Sequence, residues 1–253
     1  MHFCKILFSF ILWTLFLPAV KAQVVNFPDP VFKQALIKKK VDVNNDGEIQ
    51  VAEGEKVTKL YLEETAFLSM EGIKSFKNLE EFGTYKNKIR QVDLQGMTGL
   101  KRLYLVGSEI EILNITGCVN LEHLSLIGNR LKDIDITPFK KLTELSLNYN
   151  QLTRIEVSNY PELKTVNLSD NGITDFKING CPKLQSLMIR KNRIAGSLDL
   201  TGFPDMRNFS ADNNLLSTVN IRGLKKLESF SCLYCNITTL NLSGAESLVD
   251  LIW

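Results

Sequence analysis

The residues best spaced for chemistry in this chain lie between positions 42 and 53: Asp42-Val-Asn44-Asn-Asp46-Gly47-Glu48-Ile49-Gln50-Val-Ala-Glu53. Calcium takes about six to eight hard oxygens, and a loop of this length can supply them from alternate positions and a final bidentate carboxylate. Asp42, Asn44 and Asp46 would offer side-chain oxygens and Glu48 its main-chain carbonyl. Gln50 would act directly or through water, and Glu53 with both carboxylate oxygens. Gly47 permits the sharp turn, and Ile49 points to the core. This is the spacing of an EF-hand loop, and calcium is the cofactor it predicts. Such loops usually work in pairs and this one is single, so a polar turn of accidental spacing is the competing reading.

The elements that hold this loop are a short helix before it and a long repeat after it. Asp29-Pro30 supplies an N-cap followed by a first-turn proline. Phe32, Ala35 and Leu36 share one face of the helix, and Lys38, Lys39 and Lys40 lie at its carbonyl end. From Val57 onward an apolar pattern returns every 21 residues, or 22 twice: Leu100-Lys-Arg-Leu103-Tyr-Leu105, Leu121-Glu-His-Leu124-Ser-Leu126, Leu142-Thr-Glu-Leu145-Ser-Leu147 and so on to Leu248-Val-Asp-Leu251-Ile-Trp253. Apolar residues at alternate positions make a short strand with one buried face, and so small a unit buries that face only by stacking on its neighbours. An asparagine recurs after each strand at Asn87, Asn129, Asn150, Asn171, Asn192 and Asn214, with Thr65, Ser108 and Cys235 in its place elsewhere. Turned inward, its amide can satisfy buried loop backbone. A second alternation, such as Val92-Asp93-Leu94, Ile134-Asp135-Ile136 and Phe176-Lys177-Ile178, predicts a short outer strand in every unit.

On the inner strands, the residues between the leucines face outward. Their register gathers Tyr61, Tyr85, Tyr104, Val106 and Ile127 near the first repeats, with Tyr149 further along. Exposed aromatics beside small residues suit an interface anchor, although tyrosine also simply suits strands. These six are the candidate partner-binding residues, for a protein or a glycan. His123 is the one histidine beyond residue 22, with Glu144 on the next strand and Ser125 nearby. A base, an orienter and a nucleophile are thus conceivable, but a shallow open sheet offers no water-excluding pocket. No catalytic residues are expected, and a hydrolase using His123 is the remotest reading. Cys232 and Cys235 occupy a core place and a ladder place and read as packing, not as a disulfide or a zinc site. Cys118 and Cys181 stand three repeats apart, roughly 14 Å, too far to bridge.

Residues 1–22 carry a basic start, a short apolar run from Ile6 to Leu17, and small residues before Gln23, the pattern of a secretory signal peptide. The run is too short to span a bilayer. Removing it takes away Lys5 and Lys21 and no acid, leaving 28 basic against 28 acidic residues. A neutral chain has no electrostatic reason to seek nucleic acid or anionic lipid.

The repeat, written LxxLxLxxNxLxxLDLS, resembles that of bacterial secreted leucine-rich-repeat proteins of internalin type, over about residues 57–253. The resemblance implies a leucine-rich-repeat solenoid of the right-handed α/β horseshoe class, with β-rich repeats, short outer strands and a small helical N-terminal cap. The expected organisation is a signal peptide at 1–22, a cap at 23–56 carrying the EF-hand-like loop, and a repeat domain at 57–253 of about nine repeats and a partial one. An aspartate-rich stretch before the repeats is expected of such proteins. The implied function is a secreted or cell-surface binding module. A calcium-stiffened spacer, or the N-terminal part of a longer surface adhesin, is the alternative. A sequence that stops within a repeat also predicts self-association through an uncapped C-terminal end.

Overall fold

A computed structural model describes residues 23–63 and 66–253. The signal peptide expected at 1–22 and the ladder position at Thr65 lie outside the described residues. Asp29 caps α1 (Pro30–Lys38) as its sequence predicts, its Oδ1 accepting the amides of Val31 and Phe32 at 2.8 and 3.1 Å. Its Oδ2 accepts the amides of Leu68 and Ser69, so one carboxylate both starts the helix and ties the cap to the first repeat. Phe32, Ala35 and Leu36 are buried together. Phe32 meets Phe27 and Phe67, and Phe27 meets Phe76, giving the end of the solenoid an aromatic cover. The candidate calcium loop follows and runs into α2 (Val51–Gly54). A short 3-10 turn, Ile73–Ser75, lies after the first strand.

Ten parallel strands form one continuous inner sheet: β1 (Lys59–Glu63), β2 (Glu81–Tyr85), β4 (Arg102–Val106), β6 (His123–Ser125), β7 (Glu144–Ser146), β9 (Thr165–Asn167), β11 (Ser186–Met188), β13 (Asn208–Ser210), β15 (Ser229–Ser231) and β17 (Asp250–Ile252). The outer strands are β3 (Gln91–Asp93), β5 (Ile112–Asn114), β8 (Arg154–Ser158), β10 (Asp175–Asn179), β12 (Ala195–Asp199), β14 (Leu215–Asn220) and β16 (Thr239–Asn241). They do not make one sheet. β3 pairs β5, β8 pairs β10, and β12, β14 and β16 form a third group. The strand expected at Ile134-Asp135-Ile136 is absent.

The asparagine ladder works as its chemistry requires. Asn150 Nδ2 donates to the carbonyls of Leu126, one repeat back, and Leu147, in its own repeat. Its Oδ1 accepts the amide of Leu131 at 3.1 Å. Asn129, Asn171 and Asn192 repeat both donations and the acceptance. The residue before each ladder position takes a left-handed conformation, whether glycine (Gly107, Gly128) or not (Lys86, Tyr149, Asp170, Lys191, Asn213, Tyr234). That turn keeps the amide aimed at the next repeat, as in Tyr149 N to Ser169 O at 3.0 Å. The strain of a non-glycine residue there, roughly 1 kcal/mol, is borne at Lys86, Tyr149, Asp170, Lys191 and Asn213 because each of these amides has such a partner.

One sequence reading is corrected. Cys232 and Cys235 form a disulfide, with Cα atoms 5.6 Å apart. Two half-core positions three residues apart, at a turn made by Tyr234 in the left-handed region, bring the sulfurs within reach. Cys118 and Cys181 are free and buried, as their register predicts.

Candidate functional site

The pairing of β1, β2 and β4 sets Lys59, Glu81 and Arg102 in one row and Tyr61, Gly83 and Tyr104 in another. Glu81 is the hub. It accepts the Tyr61 hydroxyl at 2.9 Å, the Lys59 ammonium at 2.9 Å and the Arg102 guanidinium at 2.8 Å. Its side chain is only 11% exposed, so these three donors replace lost water. The bonded Lys59 ammonium, with help from Tyr61 and Arg102, holds the Glu81 carboxyl below the usual carboxylate range, against the opposing pull of burial. Burial pushes the Tyr61 phenol up to about 12, and its bond to Glu81 adds to the rise.

Tyr61 reaches Glu81 by lying across Gly83. A Cβ at Gly83 would meet the Tyr61 ring at 2.4 Å, so only glycine admits this ring position. The Tyr61 and Tyr104 rings then stand 6.3 Å apart at 32°, with the Tyr85 ring beside Gly83 as well. Tyr85 pairs with Val106 in register. Ile127 continues that row through its carbonyl, which accepts the Gly107 amide. Tyr149 does not join the group. It sits on the rim, 56% exposed and three repeats from Lys86 in the left-handed row.

The other charges of this face largely pair with one another. His123 Nδ1 is 3.2 Å from Glu144, and its Nε2 is 3.5 Å from the Thr143 hydroxyl, so neither nitrogen is offered to Ser125. Arg190 pairs with Asp212 at 3.1 Å and Lys191 with Asp170 at 3.2 Å. The cap-proximal end presents aromatic and aliphatic surface beside the paired charges of Lys59, Glu81 and Arg102. Sequence reasoning listed the tyrosines but missed Glu81 and Gly83. The signal was there: Lys59, Glu81 and Arg102 fall at directly paired positions, where opposite charges meet.

In the cap, Gly47 takes φ +81° and donates to Asp42 Oδ2, Asn44 Oδ1 accepts the Asp46 amide, and Asp46 Oδ1 accepts the Glu48 amide. Glu53 turns back into the loop: Oε1 accepts Val43 and Asn44 amides and Oε2 the Gln50 amide. Asn44 and Gln50 each donate an amide hydrogen to Asp46 Oδ2. The Glu48 carboxylate pairs outward with Lys33 at 2.8 Å, which leaves its carbonyl for the loop. Ile49 is fully buried. Among the described residues no three His, Cys, Asp or Glu side chains converge closely enough to make a metal cluster as they stand. Yet Asp42, 6% exposed, keeps Oδ1 buried without a hydrogen-bond partner. A buried carboxylate oxygen lacking a donor is costly, and a hard cation is the group these oxygens fit. Asn44 and Gln50 would turn their amide oxygens inward to meet it.

The sequence model for Leucine Rich repeats (2 copies) matches residues 119–160 and 140–180. No curated protein matches the chain. Among solved structures, internalin C2 of Listeria monocytogenes matches at 21% identity and TM-score 0.64, covering 88% of this chain and 98% of that one. The functional domain of InlJ from the same organism, which includes a cysteine ladder, matches at 19% identity and TM-score 0.60 over 91% of this chain. YopM from Yersinia enterocolitica matches at 24% identity and TM-score 0.60 over 70%. This chain spans 61% of the InlJ structure and 37% of the YopM structure. The repeat register, the ladder and these matches define a leucine-rich-repeat solenoid. Within that class, the fold is similar to that of the Listeria internalin structures. No helix among the described residues is long and apolar enough to cross a membrane.

Proposed function

We propose that this chain is a secreted or cell-surface binding module that holds an apolar patch of a protein partner on the cap-proximal concave face. The observation that carries this reading is the locked aromatic platform of Tyr61, Tyr85 and Tyr104, set among charges that pair internally. A pre-ordered aromatic surface loses little side-chain entropy when a partner arrives. Val106 and Ile127 extend it with aliphatic surface. The test compares polypeptides retained by the immobilised chain, by Tyr104→Glu and by the outer-face variant Glu156→Arg. Loss with Tyr104→Glu alone supports the reading. Equal retention by all three overturns it.

A second reading has its own observation. The orphaned Asp42 Oδ1 favours calcium in the Asp42–Glu53 loop, where bound metal would stiffen the cap of a spacer or binding module. Calorimetric titration of residues 23–253 beside Asp46→Ala tests it. Saturable binding lost in the variant supports the site, and no heat at millimolar calcium removes it.

A further inference from the structure

The broken outer sheet follows a rule. From the third repeat onward, one inward residue follows the turn after each outer segment: Cys118, Phe139, Tyr160, Cys181, Phe203, Leu224 and Ala245; Met97, its counterpart after β3, faces the 3-10 turn of the first repeat and not an outer strand. Each lies in the joint between its own outer strand and that of the preceding repeat. Outer strands pair across Cys118, Cys181, Leu224 and Ala245. Among the described residues they do not pair across Phe139, Tyr160 or Phe203. All seven joints obey the same division: aromatic residues separate the strands and smaller ones let them meet.

The contacts give the cause. Cys118 Sγ and Cys181 Sγ lie 3.4 and 3.8 Å from the carbonyls of Leu94 and Val157, each 24 residues back. Tyr160 bonds the equivalent carbonyl, that of Ile136, through its hydroxyl at 2.6 Å. A phenol reaches further than a thiol, so a whole ring stands between the Ile136 carbonyl and the backbone of the repeat that carries Tyr160. Phe139 and Phe203, 1% and 2% exposed, fill the same place with rings. A close-packed interior cannot absorb that bulk without moving backbone. The main-chain amides of residues 132–136 bond to no other main-chain group among the described residues. Clefts of about 420 and 290 Å³ open on the two sides of this segment, against Arg154–Glu156 and against Leu113–Thr116.

We infer that Phe139, Tyr160 and Phe203 are positioning residues that set where this solenoid bends. The inner sheet stays continuous, so widening the outer side at a joint turns the repeats about that joint. The first two joints adjoin, behind the stretch of sheet from Tyr104 and Val106 to Ile127 and Asn148. The bend therefore shapes the concave face beside the aromatic platform. Only this last consequence rests on the concave-face reading.

The experiment is hydrogen exchange on residues 23–253, which needs no partner. Phe139→Leu with Tyr160→Leu installs the residue found at the paired joint of Leu224. The amides of residues 132–136 should then exchange at least about tenfold more slowly, as ladder bonds form, and small-angle scattering should show a longer, straighter particle. Tyr160→Phe keeps the ring and should leave exchange unchanged. A folded leucine variant with wild-type exchange overturns the inference, as does closure by Tyr160→Phe. Should the leucine variant fail to fold, Leu224→Phe gives the reverse test: faster exchange at Thr218–Asn220 supports the inference, and unchanged exchange overturns it.

Discussion

Glu81 and Gly83 matter because neither contributes an aromatic ring and both decide where the rings lie. Gly83→Ala adds one methyl group against the Tyr61 ring and should move the ring off Glu81. Overpacking of this kind costs about 1–3 kcal/mol, which urea unfolding would read. Retention of any partner should fall with it although no tyrosine is lost. The Tyr61 phenol gives a second check. Its folded pKa is raised to about 12 from an ordinary 10.0, first by burial and then by Glu81. The associated stability is complete below the unfolded value and is lost as pH rises through the folded one, a window of about 10 to 12. Ultraviolet titration of wild type minus Tyr61→Phe should show this late ionisation, and Glu81→Gln should bring it partly back, since burial remains. At this scale the sequence exposed the tyrosines through their alternation. It hid their engagement, because a ring lying across a glycine depends on a rotamer and not on spacing.

The repeating element is held by a ladder whose rungs share carbonyls. Asn129 and Asn150 both donate to the Leu126 carbonyl, at 2.9 and 2.8 Å. Either alanine variant alone leaves that carbonyl one donor, while the pair leaves none. Each single change should cost about 1–3 kcal/mol, and the double variant should exceed their sum by roughly 1 kcal/mol or more. Asn129 and Asn171 share no carbonyl, so that pair should add. Equal coupling for the two pairs in urea unfolding would remove the shared-carbonyl account. The ladder was legible because each asparagine recurs at a fixed place. The missing outer strand at 134–136 was not, because its own alternation is intact. Whether it pairs is decided by the bulk of Phe139 and Tyr160, and local periodicity carries no information about that.

Over the whole molecule, order runs from the cap. One face of the first repeat is covered by Phe27, Phe32, Phe67 and Phe76, and the Asp29 carboxylate fastens the cover to Leu68 and Ser69. In a solenoid each repeat contacts only its neighbours, so losing the cap exposes the first apolar layer and favours unravelling inward. The Asp42–Glu53 loop joins α1 to α2 and so to β1, the strand that carries Tyr61. A cation bound there stabilises the cap by mass action, about 2.7 kcal/mol at a hundredfold excess over its Kd. Calcium should therefore raise the thermal midpoint of residues 23–253 by a few degrees and slow amide exchange first at 23–63. Asp42→Asn removes the negative charge of the orphaned carboxylate and should weaken both effects without unfolding the chain. The spacing of the six candidate ligands is a feature of the sequence. The unpartnered Oδ1 is not, since a missing partner is a property of packing. A midpoint indifferent to calcium, in wild type and variant alike, would mean that Glu53, Asn44 and Gln50 close the loop on their own, and that the aromatic cover alone guards the end of the solenoid.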